Sequence, residues 1–184
     1  MAKKQVEVIL GEISKVLSKL DNNEVNKLTE AIRSANKVVL AGAGRVGLAV
    51  RGFAMRLGHL GLISHMLGDA TVPSIAEEDL LLVASGSGET ETIYQIVNLA
   101  KKNKARVALI TGNPESRMGK LADVIVKVSA PSKTKAIEGL VSVQPMTTLN
   151  EQSLSILLDA IVLRLMEDMN ETHDTMWRRH SNLE

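Results

Sequence analysis

The chain has no cysteine and only three aromatic residues, one each of Phe, Tyr and Trp. The first absence excludes disulfides and thiolate metal sites and fits a reducing compartment. The second leaves the interior to aliphatic side chains, which an apolar fraction of 45% supplies. Net charge is missing as well: 22 Lys and Arg stand against 21 acids, so no overall field draws nucleic acid or an anionic membrane. No apolar run is long enough to span a bilayer. The opening "MAKKQVEVILGEISKVL" is charged at regular intervals and lacks the apolar core of a signal peptide. These absences lead to the expectation of a cytoplasmic protein with neither a membrane nor a nucleic-acid partner. At 184 residues, one domain over 1–184 can bury a substantial core.

What is present is an alternation of helical and extended segments. Val6, Ile9, Leu10, Ile13, Val16, Leu17 and Leu20 keep helical spacing, and Val25 to Ala35 gives a second helix. These N-terminal helices occupy 1–36. The β-branched and apolar runs "KVVLAGAG" (37–44), "LISHML" (62–67), "DLLLVAS" (79–85), "RVALIT" (106–111) and "DVIVKV" (123–128) read as buried strands of a sheet core at 37–128. Helices are expected over 46–61 and Glu89–Lys102, with a short helical piece at Ser116–Ala122. Residues 129–145, containing Pro131 and Pro145, read as an irregular link. A long helix at about 148–170 and a tail ending in "MWRRHSNLE" complete a C-terminal part at 146–184. Strand–helix alternation with right-handed crossovers predicts an α/β, three-layer α-β-α sandwich, its five-stranded parallel sheet in the flavodoxin-like order 2-1-3-4-5. Such a sheet has a crevice where the order reverses, at the carboxyl ends of strands 1 and 3. Strand 1 ends in "GAGRVG" and strand 3 in "SGSGET", so the two most unusual loops should meet there.

"SGSGET" suits an anion. Its glycines let the backbone approach a ligand, and amides at a helix start favour negative charge. Ser85, Ser87 and Thr90 add neutral hydroxyls, and Gly86, Gly88 and Glu89 complete the candidate binding loop. No Lys follows, so this is not a P-loop. Glu89 and Glu91 complement the helix dipole and can point away from the concave side. The plain alternative is a serine N-cap with first-turn acids. "GAGRVG" matches G-x-G-x-x-G at Gly42, Gly44 and Gly47, with Asp69 near the end of the next strand, so a dinucleotide oxidoreductase stays open. Glycines serving only tight strand-to-helix packing account for the same pattern. Arg45, beside Gly44, can give a bidentate charge to an oxygen of a phosphorylated metabolite, or can simply be a solvated helix-start arginine.

In "QPMTTLNEQ" (144–152), Glu151 is a candidate base, kept charged by the helix start. Thr148-x-x-Glu151 is equally a capping-box spacing. Of the four histidines, His59 near a helix C-terminus fits dipole complementarity and His65 inside a strand reads as structural. His173 and His180 fall in the tail that carries the only tryptophan. No pair shows metal-ligand spacing, and no metal or cofactor is expected.

Together "AGAGRVG", "FAMRLGHLG", "SGSGETETI", "TGNPES", "QPMTTLNEQ" and "RHSNLE" resemble the 6-phospho-3-hexuloisomerases of the sugar isomerase (SIS) domain family, in order from the first strand to the last residue. The serine loop alone would indicate a SIS domain; "QPM…EQ" and the terminus are more specific. The resemblance implies an isomerase interconverting D-arabino-3-hexulose 6-phosphate and fructose 6-phosphate through a 2,3-enediolate. It implies a place in the ribulose monophosphate pathway of formaldehyde assimilation, next to hexulose-phosphate synthase. It further implies a cytosolic homotetramer without cofactor, its sites between subunits and its substrate a phosphorylated hexulose. By that likeness Ser85–Thr90 holds the phosphate and Glu151 accepts the proton. His59 and His180 then come from neighbouring chains, with His180 closing over the ligand. Many relatives have Ser after the loop arginine, where this chain has Val46. Isomerases of other phosphosugars, and SIS-type sensors that bind without turnover, remain alternatives.

Overall fold

The five strands of this computed structural model, which describes residues 2–131, 137 and 140–183, form one all-parallel sheet in the order β2-β1-β3-β4-β5. The expected order is therefore observed. The strands are β1 (Val38–Gly42), β2 (Ser64–Met66), β3 (Leu80–Ala84), β4 (Arg106–Thr111) and β5 (Val124–Lys127). In register, Val38 of β1 faces Ser64 of β2 and Leu80 of β3, which in turn faces Arg106 of β4.

Alternate strand residues build two cores. Val38, Leu40, Leu80, Leu82, Ala108, Ile110 and Val126 point to one face, beneath α1 (Ala2–Leu17), α2 (Asn22–Ser34), α3 (Gly44–His59) and α5 (Thr148–Asp168). Val39, Ala41, Leu81, Val83, Val107 and Leu109 point to the other, under α4 (Glu91–Lys102) and Met118. The continuous apolar runs of the sequence are thus strands buried on both faces. A short helix, α6 (His173–Trp177), follows α5 and opens on a capping box between Thr172 and Thr175.

Element ends differ from expectation where local chemistry decides. α3 begins at Gly44, and it closes when Leu62 N–H returns to the Leu57 carbonyl around Gly61 at φ +84°, which shortens β2. α4 begins at Glu91, because Gly88 at φ +67° and extended Thr90 keep the loop out of the helix. The helical piece expected at Ser116–Ala122 is instead a series of turns. There the Pro114 carbonyl presses on Gly119, only 1.8 Å from where a Cβ would sit. In the expected link 129–145, residues 132–136, 138 and 139 lie outside the described residues, as does Glu184 of "RHSNLE".

Gly42 and Gly47 are explained by packing: a Cβ on Gly47 would stand 2.6 Å from the Gly42 carbonyl oxygen. Asp69 is held by Arg51 at 3.0 Å. At the outside of the sheet, the Lys127 amide of β5 donates to the Glu24 carboxylate on α2 at 2.8 Å. Among the described residues no helix is long and apolar enough to cross a membrane.

Candidate active site

The loops after β1 and β3 and the start of α5 surround a cleft of about 470 Å³. Its lining includes Gly44, Arg45 and Val46 from the first loop, Ser85, Gly86, Ser87 and Thr90 from the second, and Pro145–Thr148, Asn150 and Glu151 from the third. Expected site residues from three separate stretches are therefore brought together at the carboxyl ends of β1 and β3.

The serine loop is shaped from within. Ser85 N–H donates to the Ile110 carbonyl of β4, while Ser85 Oγ accepts Gly88 N–H at 3.2 Å and lies 3.4 Å from Thr90 Oγ1. Ser87 Oγ accepts Glu89 N–H at 3.2 Å. Each serine oxygen takes a loop amide, and the Ser85–Thr90 hydroxyl pair and the Ser87 hydroxyl keep protons that can be donated. Neither serine is an N-cap: that position belongs to Thr90, which makes no side-chain capping bond. Gly88 has no room for a side chain, since a Cβ would fall 2.0 Å from Ser116 Oγ.

The two glutamates beside this loop face away from it. Arg117 donates to Glu89 through its amide (2.9 Å) and Nε (2.7 Å), reaches Glu91 at 2.9 Å, and lies 4.3 Å from the centre of the Tyr94 ring. The Arg117 amide and then its guanidinium hold the Glu89 carboxyl below the usual range; Gln95 and then Arg117 do so for Glu91. Of the candidate binding residues, Gly88 and Glu89 lie outside the cleft lining, Gly88 shaping the loop and Glu89 tied to Arg117.

Glu151 points into the cleft with 14% of its side chain exposed. Thr147 Oγ1 donates to its Oε1 at 2.8 Å, and Arg45 Nη1 lies 3.1 Å from its Oε2. That second contact is an ion pair outside hydrogen-bond alignment, and Oε2 has no hydrogen-bond partner among the described residues. The capping-box spacing goes unused here. The N-cap of α5 is Thr147, without a side-chain cap bond, and Thr148 Oγ1 instead donates to the Pro145 carbonyl at 2.8 Å. Arg45, 59% exposed, also donates to Thr148 Oγ1 at 3.2 Å, so it bends over the cleft instead of extending into solvent. Asn150 was not singled out by sequence reasoning. Its amide packs against Gly86, 2.9 Å from where a Cβ would be, and its one signal is a second polar residue at a buried helix start.

The histidines gather elsewhere. His59 ends α3, 7% exposed, with Arg56 donating to its Nδ1 at 3.3 Å. Its ring lies 5.1 Å from that of His180, which in turn meets Trp177 edge-on at 4.7 Å. Arg179 holds the tail there, donating to the His59 carbonyl at 3.0 Å and pairing with Glu171 at 2.8 Å. A second cavity of about 350 Å³ lies among Arg56, His59, His173, Met176, Trp177 and His180. α3 runs from Arg45 near one end to His59 at the other, so at roughly 1.5 Å per residue the two groups stand about 20 Å apart along it. One chain does not bring His59 or His180 to Glu151. Among the described residues no cluster of three or more His, Asp or Glu could hold a metal ion.

Fold and cleft define a class, and residues 31–158 match the SIS domain, so the chain belongs to that family. Within it, the chain is 39% identical over 176 residues to the 3-hexulose-6-phosphate isomerase of Bacillus subtilis, covering 96% of this chain and 95% of that one. It is 40% identical over 177 residues to the Mycobacterium gastri protein of the same name, covering 96% and 88%. Among solved structures, the Methanococcus jannaschii protein MJ1247, whose crystal structure inferred a 3-hexulose-6-phosphate isomerase function, matches with a TM-score of 0.84 and 29% identity over 98% of this chain and 99% of that one.

Proposed function

We propose that this chain, as one domain over 1–184, is an isomerase interconverting D-arabino-3-hexulose 6-phosphate and fructose 6-phosphate. One observation carries the reading: a hydroxyl-rich loop at a helix start and a carboxylate paired with Arg45 face the same cleft. Relatives named for this activity, at about 40% identity over nearly the whole chain, support it.

The phosphate sits against Ser85, Ser87, Thr90 and the amides of their loop, remote from the reacting carbons, and supplies binding energy for positioning. Glu151 Oε2 removes the C2 proton, next to the C3 ketone. The electron pair moves into a 2,3-enediolate, whose developing oxyanion Arg45 stabilises. The hydroxyl proton passes from the C2 oxygen to the C3 oxygen, and the abstracted proton is delivered to C3, leaving the ketone at C2. Atoms and charge balance without a redox group. His59 and His180, too far from Glu151 in one chain, enter from a neighbouring copy in a homotetramer, and His180 closes over the sugar. The reading places the enzyme in the cytoplasm, in the ribulose monophosphate pathway after hexulose-phosphate synthase.

The test is turnover of 3-hexulose 6-phosphate by the chelated protein in deuterated water, followed by NMR. Fructose 6-phosphate deuterated at C3 is expected. Product without deuterium keeps the isomerase and replaces the solvent-exchanging base by a shielded transfer. Absence of product, with saturable phosphosugar binding, overturns the activity in favour of a sensor.

A further inference from the structure

Glu12 lies on α1, ahead of the stretch that matches the SIS domain. It is 7% exposed, and a charge so buried is costly unless hydrogen bonds replace the lost water. Its carboxylate accepts from Ser142 Oγ at 2.7 Å, Val143 N–H at 2.8 Å and Gln144 Nε2 at 2.9 Å. Burial, the largest single influence, pushes this carboxyl up. The Val143 amide, Gln144, Ser142 and the nearby Lys15 together more than offset it, so it stays below the usual range.

The three donors belong to one segment, and that segment runs directly into the cleft wall at Pro145. The Pro145 carbonyl accepts from Thr148 twice, from Oγ1 at 2.8 Å and from the amide at 3.2 Å. Thr148 Oγ1 in turn accepts from Arg45, which pairs with Glu151. We propose that Glu12 is a positioning residue for the active site: from outside the cleft it fixes the 142–145 wall, and through Pro145 and Thr148 the placement of Arg45 against Glu151. The serine loop is held by its own bonds and by β4, so phosphate anchoring is independent of this wall. The kinetic part of the proposal rests on the isomerase reading of the cleft.

The test compares wild type, E12Q and S142A by kcat and KM for 3-hexulose 6-phosphate and by hydrogen exchange of backbone amides in 141–148. In folded E12Q, kcat should fall about tenfold from misplacement of the catalytic pair. KM should stay within about twofold, as expected when binding is preserved, and exchange at 141–148 should quicken. S142A should move both in the same direction by less. A merely structural role would lower stability and leave kcat of the folded protein unchanged. Wild-type kcat, or wild-type exchange at 141–148, in folded E12Q overturns the proposal. Where E12Q fails to fold, S142A decides, and its unchanged kcat and exchange overturn the proposal equally. If the wild-type chain does not turn over the substrate, the isomerase reading falls, and exchange in the two variants alone decides the role of Glu12.

Discussion

The two ends of α3 hold opposite chemistry. At Gly44 the cleft gathers neutral hydroxyls, glycines and one carboxylate matched to Arg45. At His59 the surroundings are imidazoles, an indole and arginines. Helix polarity fits the sorting, since amide ends favour anions and carbonyl ends favour cations such as Arg56. In the proposed function the first end holds the phosphate and takes the proton, and the second supplies the histidines. α3, Gly44–His59, keeps the two ends apart. Under the function proposed above, the helix is a spacer and a second copy supplies the missing end.

The comparison breaks most sharply at Glu151. Glu151→Gln should lower kcat by roughly 10²–10⁴, the range for removing a general base. Fold and phosphosugar binding should persist, because α5 starts without a cap from this side chain. A near-normal rate in steady-state kinetics would remove the carboxylate end from the chemistry.

A second substitution sharpens the spacer idea. His180→Ala should cost less, on the order of 10² in kcat. Refolding E151Q together with H180A should then restore activity that neither has alone, because each supplies the end the other lacks. Folded mixtures that stay inactive would exclude the histidine end from the site.

The smallest effect concerns how the tail is held. Arg179 and then Thr175 hold the Glu171 carboxyl down to about 2 against an ordinary value of 4.5. A depressed carboxyl contributes docking that is full above pH 4.5 and is lost as pH falls towards 2. Trp177, the only tryptophan, lies in this tail, so its fluorescence should shift within that window. Glu171→Gln should abolish the transition; the same transition in that variant would assign it to another group.

Much of this was legible in the residues. The β-branched run at 106–111 is β4 to the residue, and β3 departs from its expected bounds by one residue at each end. The alternation of strands and helices gave the sheet order, and the order gave the meeting of the two loops. What escaped depends on partners far apart in sequence. Glu89 is turned outward by Arg117, 28 positions on, and Glu12 finds its donors 130 to 132 positions away. Spacing also invites false pairs: Thr148 and Glu151 stand three apart, yet the threonine bonds Pro145 and Arg45. Backbone at Asn170, with φ +53°, lets the tail turn back onto the His59 end, which periodicity does not record.

The outermost strands carry a consequence for assembly. β2 has three residues and β5 four, and the Lys127 amide of β5 is already spent on Glu24. Edge strands this short, one of them with a donor taken, are poor templates for a foreign strand. Copies of this chain therefore gain little by extending one another's sheet; the exposed apolar side chains lie instead on helices, among them Leu48 and Met55 of α3 and Leu163 of α5. The same feature that limits the sheet protects it from fibre-like growth.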